Sequence, residues 1–510
     1  MRVRFVSLGL LLIGCWTVQG QTQSDKQRSI DEVFLKFHEY ALFQGAVLVA
    51  DRGEIIYQRA FGQANREWNV DNTVDTRFNI ASLSKQFTAA LILQLVDEGQ
   101  IHLDSTIASY YPEYRSDVGQ RVTIHQLLTH QSGIPNYTSL PYVWSDSLSL
   151  RYTAADLIRK FGSQAPEFTP GSRFQYSNTG YLLLSIIAER VSGQPYDSLL
   201  AERIFQPAQL THTGVDDQSR LINKRAYGYE RTTKGFYPTT PMHMANLQGA
   251  GNLYSTVEDL YRWDQALYES DILPKKWRKV MVEPHTEGRT DWIPPYENTY
   301  GYGVGLSQIS LTKKRSVPMI FHSGHIRGFS SFYARFPEDQ QTVIILSNTG
   351  KVSTAKMNEL TQEILKILYE LPYQLPERDL AGDLYQVIQQ EGIAAAVTHF
   401  HYLRDAFPYE FQDASYDLDA LGQQLNQEGD SENALIIFQL NSDVHPHWST
   451  FYRLAAACLA VGEVENATRF FERSQSLNPR RNSSEKEAFR DTKETLKSLR
   501  KQTRAESVNR

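Results

Sequence analysis

The chain has almost no cysteine. Two thiols, Cys15 and Cys458, occur in 510 residues. Cys15 falls in the N-terminal apolar segment, so Cys458 has no partner for an internal disulfide. Stability must therefore come from burial, and Cys458, set in an apolar helical pattern, reads as a packed core residue. Long hydrophobic runs are also missing. The apolar run Phe5 to Ile13 is shorter than the roughly 20 residues that span a bilayer. Basic excess is absent: the formal net charge is −6 and no basic block stands out before the tail. That excludes a nucleic-acid partner. His399-Phe400-His401 and His445-Pro446-His447 have no cysteine or carboxylate cluster at ligand spacing. Neither a metal nor another cofactor is expected.

What remains has the composition of a globular protein, with 41% hydrophobic and 22% charged residues. Its length is too great for one ordinary core and predicts at least two domains. Arg2 and Arg4 precede the short apolar run, which gives residues 1–20 the pattern of a signal peptide. Two exits are readable. Val18-Gln19-Gly20 suits signal-peptidase cleavage and leaves Gln21 as the new N-terminus. Leu12-Ile13-Gly14-Cys15 resembles a lipoprotein box, which would place a lipid and a membrane tether on Cys15. Either exit implies an exported protein, periplasmic or secreted.

A helix is expected at about Ile30 to Tyr40, then a hairpin from Gly45 to Phe61 turning at Asp51-Arg52-Gly53. Ser82 to Glu98 is apolar nearly all round, the mark of a buried helix, and Gly99 stops it. A mainly helical and looped stretch, about residues 105–270, follows. Short β-rich runs return at Tyr302–Ile309, Pro318–His322, Phe329–Phe336 and Thr342–Leu346, before an amphipathic helix at Thr354–Glu370. The economical packing joins early and late strands in one antiparallel sheet flanked by helices, with the helical middle as a second lobe. This α/β (α+β) domain covers about residues 25–372. A proline-bearing linker, Leu371 to Pro376, leads to an all-helical region at about 377–482. There Gly429, Ala434, Phe438 and Pro446 recur as Gly462, Ala467, Phe471 and Pro479, each offset by 33. The spacing resembles tetratricopeptide repeats without their tryptophan, and Gly392 marks a degenerate first unit. The charged tail spans 483–510.

Ser-x-x-Lys starts five times, at Ser82, Ser310, Ser353, Ser483 and Ser498. Only Ser82 opens a long buried helix. Free N–H groups and the dipole there favour negative charge, so the Ser82 N–H can face a developing oxyanion. Lys85, three residues on, shares its face, and burial would lower its pKa toward that of a base. The competing reading of the pair alone is a capping serine beside a snorkelling lysine. Tyr176-Ser177-Asn178 adds a phenol near the lysine and an amide able to hold a substrate or Lys85. A rival Tyr296-Glu297-Asn298 lies in a proline-flanked loop. His322-Ser323-Gly324 lies on a strand whose edge a substrate backbone could approach, with the His325 N–H as a second oxyanion donor. A rival His212-Thr213-Gly214 lies in a loop where no sheet edge is expected.

These stretches, with Leu127-Leu128-Thr129-His130-Gln131-Ser132-Gly133-Ile134-Pro135 and Gly249-Ala250-Gly251-Asn252-Leu253-Tyr254-Ser255-Thr256, resemble the class C β-lactamase and penicillin-binding-protein-like serine hydrolases. The resemblance runs in order over roughly residues 28–350. It implies a β-lactamase-like fold, Ser82 as nucleophile, Lys85 and Tyr176 sharing proton transfer, and Asn178 positioning the substrate amide. It also implies a substrate-binding third motif begun by His322, and makes Tyr137, just past Pro135, a candidate for the pocket wall. Many β-lactamases carry lysine at the His322 position. Histidine is mostly neutral at pH 7. A small peptide or ester substrate is therefore expected, of the D-amino-acid peptidase, D,D-carboxypeptidase or esterase type, with weak β-lactam hydrolysis. The alternative is a non-catalytic or transacylating scaffold whose helical repeats bind a protein or peptide partner.

Overall fold

A computed structural model describes residues 11–477, apart from 41, 141–142, 144–146, 233–234, 287–297, 351–353, 377–379 and 407–413; beyond 477 it describes only 492, 494, 496 and 497. Most of the export segment's apolar run, Tyr296, Ser353, Pro479 and the tail serines lie outside the described residues. The chain divides into two units, one formed by 1–231 with 237–376 and the other by 232–236 with 377–510.

The first unit is built on seven antiparallel strands: β1 (Gly45–Asp51), β2 (Glu54–Phe61), β3 (Asn298–Tyr300), β4 (Gly305–Thr312), β5 (Arg315–Ile326), β6 (Phe329–Phe336) and β7 (Gln341–Ser347). Their order in the sheet is β3-β4-β5-β6-β7-β1-β2. The early and late strands meet as expected, with β1 paired to β7 from Gly45↔Ser347 to Ala50↔Thr342. The β1–β2 turn places Arg52 and Gly53 both at positive φ, 55° and 76°, which matches the twist of a two-residue hairpin.

Both faces of the sheet are covered, so its central strands are continuous apolar runs. Strand periodicity of two divides them. Val47, Val49, Val343 and Ile345 face one core, shared with Val33, Phe34 and Phe37 of an N-terminal helix and Leu360, Ile364 and Leu365 of the helix Thr354–Leu368. Ala46, Leu48, Ala50, Ile344 and Leu346 face the other core, shared with the helical lobe. Each fully buried Leu or Ile here contributes roughly 1.5–3 kcal/mol. The N-terminal helix runs from Leu11 to Glu39, well ahead of the expected start near Ile30.

In that lobe α-helix Ser84–Asp97 is buried on every side, with Leu91, Ile92 and Leu93 fully enclosed. Phe87 stacks on Trp263 with ring centroids 4.5 Å apart. Gly99 ends this segment at φ +72°, a left-handed position where a Cβ would be strained.

The second unit is a run of helices: Leu380–Glu391, Ile393–Ala406, Ser415–Gln427, Ser431–Val444, Trp448–Ala460 and Val464–Leu477. Ala396, Ala434 and Ala467 are fully buried, and Phe400, Phe438 and Phe471, each one turn later, are buried beside them. Gly422 has the Phe438 ring 2.7 Å from where a Cβ would stand, so the two helices cross too closely for any larger residue.

Candidate active site

The chain enters the site through Phe78–Asn79, a short strand, and turns at Ala81. Ala81 takes φ +46°, a left-handed conformation that costs a non-glycine residue of order 1 kcal/mol. Three contacts hold it there. Asn79 Oδ1 accepts from the Ala81 N–H at 3.0 Å, the Ser84 hydroxyl donates to the Ala81 carbonyl at 2.7 Å, and the Leu253 N–H donates to Ser84 Oγ at 3.2 Å. Ser82 therefore sits on a single 3₁₀ turn, Ala81–Leu83, and the α-helix begins at Ser84. This moves the expected helix start by two residues. Ser82 still lies ahead of the free N–H groups of the helix and is partly accessible.

Lys85 is fully buried. Its Nζ lies 3.1 Å from Ser82 Oγ, 2.7 Å from Asn178 Oδ1 and 2.7 Å from the Ala250 carbonyl. Burial, uncompensated by any carboxylate, holds its pKa well below the ordinary lysine value. A neutral amine has two hydrogens and one lone pair. Asn178 Oδ1 and the Ala250 carbonyl can only accept, so they take the two hydrogens. The lone pair is left for Ser82, whose hydroxyl alone among the three can donate.

Tyr176 approaches from the other side. Lys85 Nζ lies 4.8 Å from the centre of its ring. The phenol oxygen is shielded from solvent. Burial raises its pKa, and a hydrogen bond with Ser82 opposes the rise. Asn178 opens helix Asn178–Ser192, where Asn136 Oδ1 accepts from its N–H at 3.1 Å and Thr138 Oγ1 from its side-chain amide at 2.8 Å. Its side-chain oxygen holds Lys85 and one amide hydrogen holds Thr138, which leaves the second amide hydrogen available.

β5 supplies the facing edge. β4 pairs with it only as far as Phe321, whereas β6 continues to Ile326↔Phe329. The two-residue turn makes Ile326–Phe329 a hydrogen-bonded pair, and alternation then points the N–H and C=O of Ser323 and His325 toward the open edge. Gly324 has a packing reason rather than the expected substrate clearance. A Cβ there would meet Ser331 Oγ at 2.3 Å, the Ile80 carbonyl at 2.5 Å and the Ser82 nitrogen at 3.0 Å. The strand can lie against the nucleophile turn only because that side chain is missing.

Two of the expected site residues are enclosed. His322 is fully buried. Its Nδ1–H donates to the Ser323 carbonyl at 2.6 Å and its Nε2 accepts from Tyr300 Oη at 3.0 Å. Burial and the nearby Lys85 push its pKa down to about 3, so it is neutral at any ordinary pH. Tyr137 is also fully buried. It turns its hydroxyl to the Asn246 carbonyl. Ser323 is buried, and His325 is exposed with Nδ1 3.2 Å from Ser330 Oγ. The rival Ser310 is exposed on β4 beside Ser316. His212 precedes a short strand, Gly214–Val215, at the edge of a three-stranded sheet, contrary to the loop expected. Its N–H donates to Asp259.

Sequence reasoning missed His130 and Tyr300. His130 accepts from the Ser177 N–H at Nδ1, 3.1 Å, so its proton sits on Nε2. Rings of Tyr176, Tyr300, Tyr181 and Phe174 surround it, with centroids from 4.3 to 5.6 Å away. His130 lay inside a quoted motif; Tyr300, after a proline-flanked loop, carried no signal.

A hydroxyl facing the lone pair of a buried neutral amine is the chemistry of a serine hydrolase. The comparisons with known proteins agree. Residues 30–366 match the family model for beta-lactamase. Penicillin-binding protein 4* of Bacillus subtilis is 31% identical over 374 residues, covering 70% of this chain and 79% of that protein. A penicillin-binding protein from Bacillus halodurans superposes with TM-score 0.56 at 26% identity, over 66% of this chain and 98% of its own. A D-amino acid amidase from Ochrobactrum anthropi does so with TM-score 0.57 at 25% identity, over 68% and 99%. The chain belongs to the beta-lactamase family and is a serine hydrolase.

Proposed function

We propose that the Ser82 hydroxyl attacks the carbonyl carbon of an amide or ester. Its proton passes to the Lys85 amine, directly or through the Tyr176 phenol. The Ser82 and His325 N–H groups hold the oxyanion. The same proton then goes to the leaving amine or alcohol, and water cleaves the acyl-enzyme. The observation that carries this reading is the fully buried Lys85 Nζ, 3.1 Å from Ser82 Oγ with two further acceptors fixed around it.

The substrates are small D-amino-acid peptides or amides, or short esters. One solved relative is a D-amino acid amidase, which supports the amide class. Neutral, buried His322 offers no cation for a β-lactam carboxylate, so β-lactam hydrolysis is weak. The test is a fluorophosphonate or fluorescent penicillin probe, followed by a panel of D-amino-acid amides, esters and cephalosporins. Labelling of wild type and not of Ser82→Ala supports the reading. Equal labelling of both, or cephalosporins as the best substrates, sinks it.

The helical unit is a set of tetratricopeptide-like repeats that binds a protein or peptide partner. The recurring buried Ala and Phe pairs support this. The charged-then-apolar N-terminus supports export, with Gln21 or lipidated Cys15 as the mature end, which mass spectrometry distinguishes.

A further inference from the structure

A cavity of about 350 Å³ lies in the first unit and shares Asn79 with the turn that carries the nucleophile. Asn79, whose amide oxygen holds the Ala81 N–H, forms part of its wall, as do Ile326 and Phe329, which close the β5–β6 hairpin. Its volume falls within the roughly 300–1,000 Å³ of small-molecule sites.

The lining is chemically lopsided. Arg77, Arg225 and Arg327 face one carboxylate, Asp216. That acid is already engaged: it is 2% exposed, ion-paired with Arg225, and accepts from the Gln218 N–H at 3.2 Å. Arg77 is different. Its backbone is fixed, with its N–H donating to the Lys224 carbonyl at 2.9 Å and its carbonyl accepting from Ala226 at 3.0 Å. Its side chain has no hydrogen bond or ion pair among the described residues, and Nε is shielded from solvent without a partner. A sheltered guanidinium nitrogen left unpaired is costly and calls for a ligand. Met244, Ile326 and Phe329 give the same cavity an apolar side.

We infer that this cavity is a specificity subsite for a substrate that carries a carboxylate at the end of a short apolar segment, with Arg77 as its anchor. Guanidinium and carboxylate match as a planar, bidentate pair. The apolar wall takes the intervening methylenes. The cavity's place beside the Ser82 turn sets the distance between that carboxylate and the scissile carbonyl. This rests on the proposed hydrolase reading for its placement on the substrate, and on Arg77 alone for the anion.

The test uses the full chain and two readouts. In the first, titration calorimetry on Ser82→Ala protein compares hexanoate with hexanamide. Hexanoate is expected to bind on the order of 10-fold more tightly. Arg77→Gln is expected to bring the two level, and Arg77→Lys to keep part of the difference. In the second, the ratio of kcat/KM for mono-4-nitrophenyl adipate over its amide-ended twin is measured in wild type and Arg77→Gln. A ratio of about 10 falling toward one supports the subsite. Hexanoate no tighter than hexanamide, or a preference that survives Arg77→Gln, overturns it. Arg77-dependent hexanoate binding that fails to compete with ester turnover marks an effector site and overturns the placement on the substrate. Absence of probe labelling at Ser82 counts against the hydrolase reading alone, because the calorimetric arm needs no nucleophile.

Discussion

Two fully buried ionisable groups of the first unit behave in different ways. Asp264, on helix Val257–Glu269, is surrounded by donors: Arg335 Nη1 at 2.5 Å, Gln265 at 2.8 Å, Thr342 at 3.2 Å, and the Tyr333 phenol. Arg335 also reaches Glu269 at 3.1 Å. Lys85 is equally enclosed and has only neutral oxygens around it. Burial raises the pKa of the first group, Arg335 and the surrounding donors oppose that rise, and the group ties a helix to two strands. Burial pushes the pKa of the second well down, and no counter-charge opposes it. Burial is common to both, so it is the presence or absence of a counter-charge that separates a structural clamp from a base.

The sharpest way to break the comparison is to remove each group. Lys85→Met is expected to lower kcat/KM by roughly 10²–10⁴, the usual worth of a positioned general base. It should cost less stability than Asp264→Ala, because it removes a buried amine and leaves only the neutral Asn178 and Ala250 oxygens without their donor. Steady-state kinetics and calorimetry on one preparation check both. Wild-type kcat/KM should rise with pH through a value well below the ordinary lysine pKa, since only the neutral amine can accept the Ser82 proton. A profile climbing only near 10.5 would show a charged resting lysine. Asp264→Ala is expected to cost about 3–5 kcal/mol of stability, because buried Arg335 loses its enclosed partner and keeps only the half-exposed Glu269. The folded fraction should still label at Ser82. If Lys85→Met destabilised more than Asp264→Ala, the distinction would fail.

The sequence carried the nucleophile's place because its signals were local. Lys85 lies three residues beyond Ser82, Gly99 follows the helix end, and the apolar runs at both ends of the domain announce the strands that pair. Other features depended on distant contacts. The left-handed turn at Ala81 leaves no mark, since alanine rarely adopts it; Asn79, Ser84 and Leu253 impose it. His322 was placed at the site by its motif, and a motif does not say what covers the ring. Tyr300, from β3, covers it. Gly324 lies against a turn more than two hundred residues earlier in the chain, a contact that no local signal announces.

His322 offers a milder test, through pH. Its folded pKa of about 3 lies below the ordinary histidine value of 6.5. As pH falls below that ordinary value the unfolded chain takes the proton and the folded one does not, so stability drops until the folded pKa is reached. Above it the contribution is complete. His322→Gln should shrink the fall in Tm between about pH 7.5 and pH 4.5. An unchanged difference would mean that His322 is protonated in the folded protein.

The smallest effect is expected at Tyr300, and it asks whether the neutral cluster beneath Lys85 is held as firmly as the charged one around Asp264. Tyr300→Phe keeps the ring that packs on His130 and removes only the hydroxyl that donates to His322 Nε2. An acceptor left buried and unsatisfied costs about 1–3 kcal/mol, less than the loss of Arg335's enclosed partner. His322 no longer has its ring fixed from both nitrogens, though its Nδ1–H bond to Ser323 persists. The β5 edge should keep its register, because β6 still pairs along it. The expected result is a modest loss of Tm with kcat/KM changed by less than about 10-fold. A loss of activity as large as that of Lys85→Met would make Tyr300 part of the proton path instead of a support for the strand.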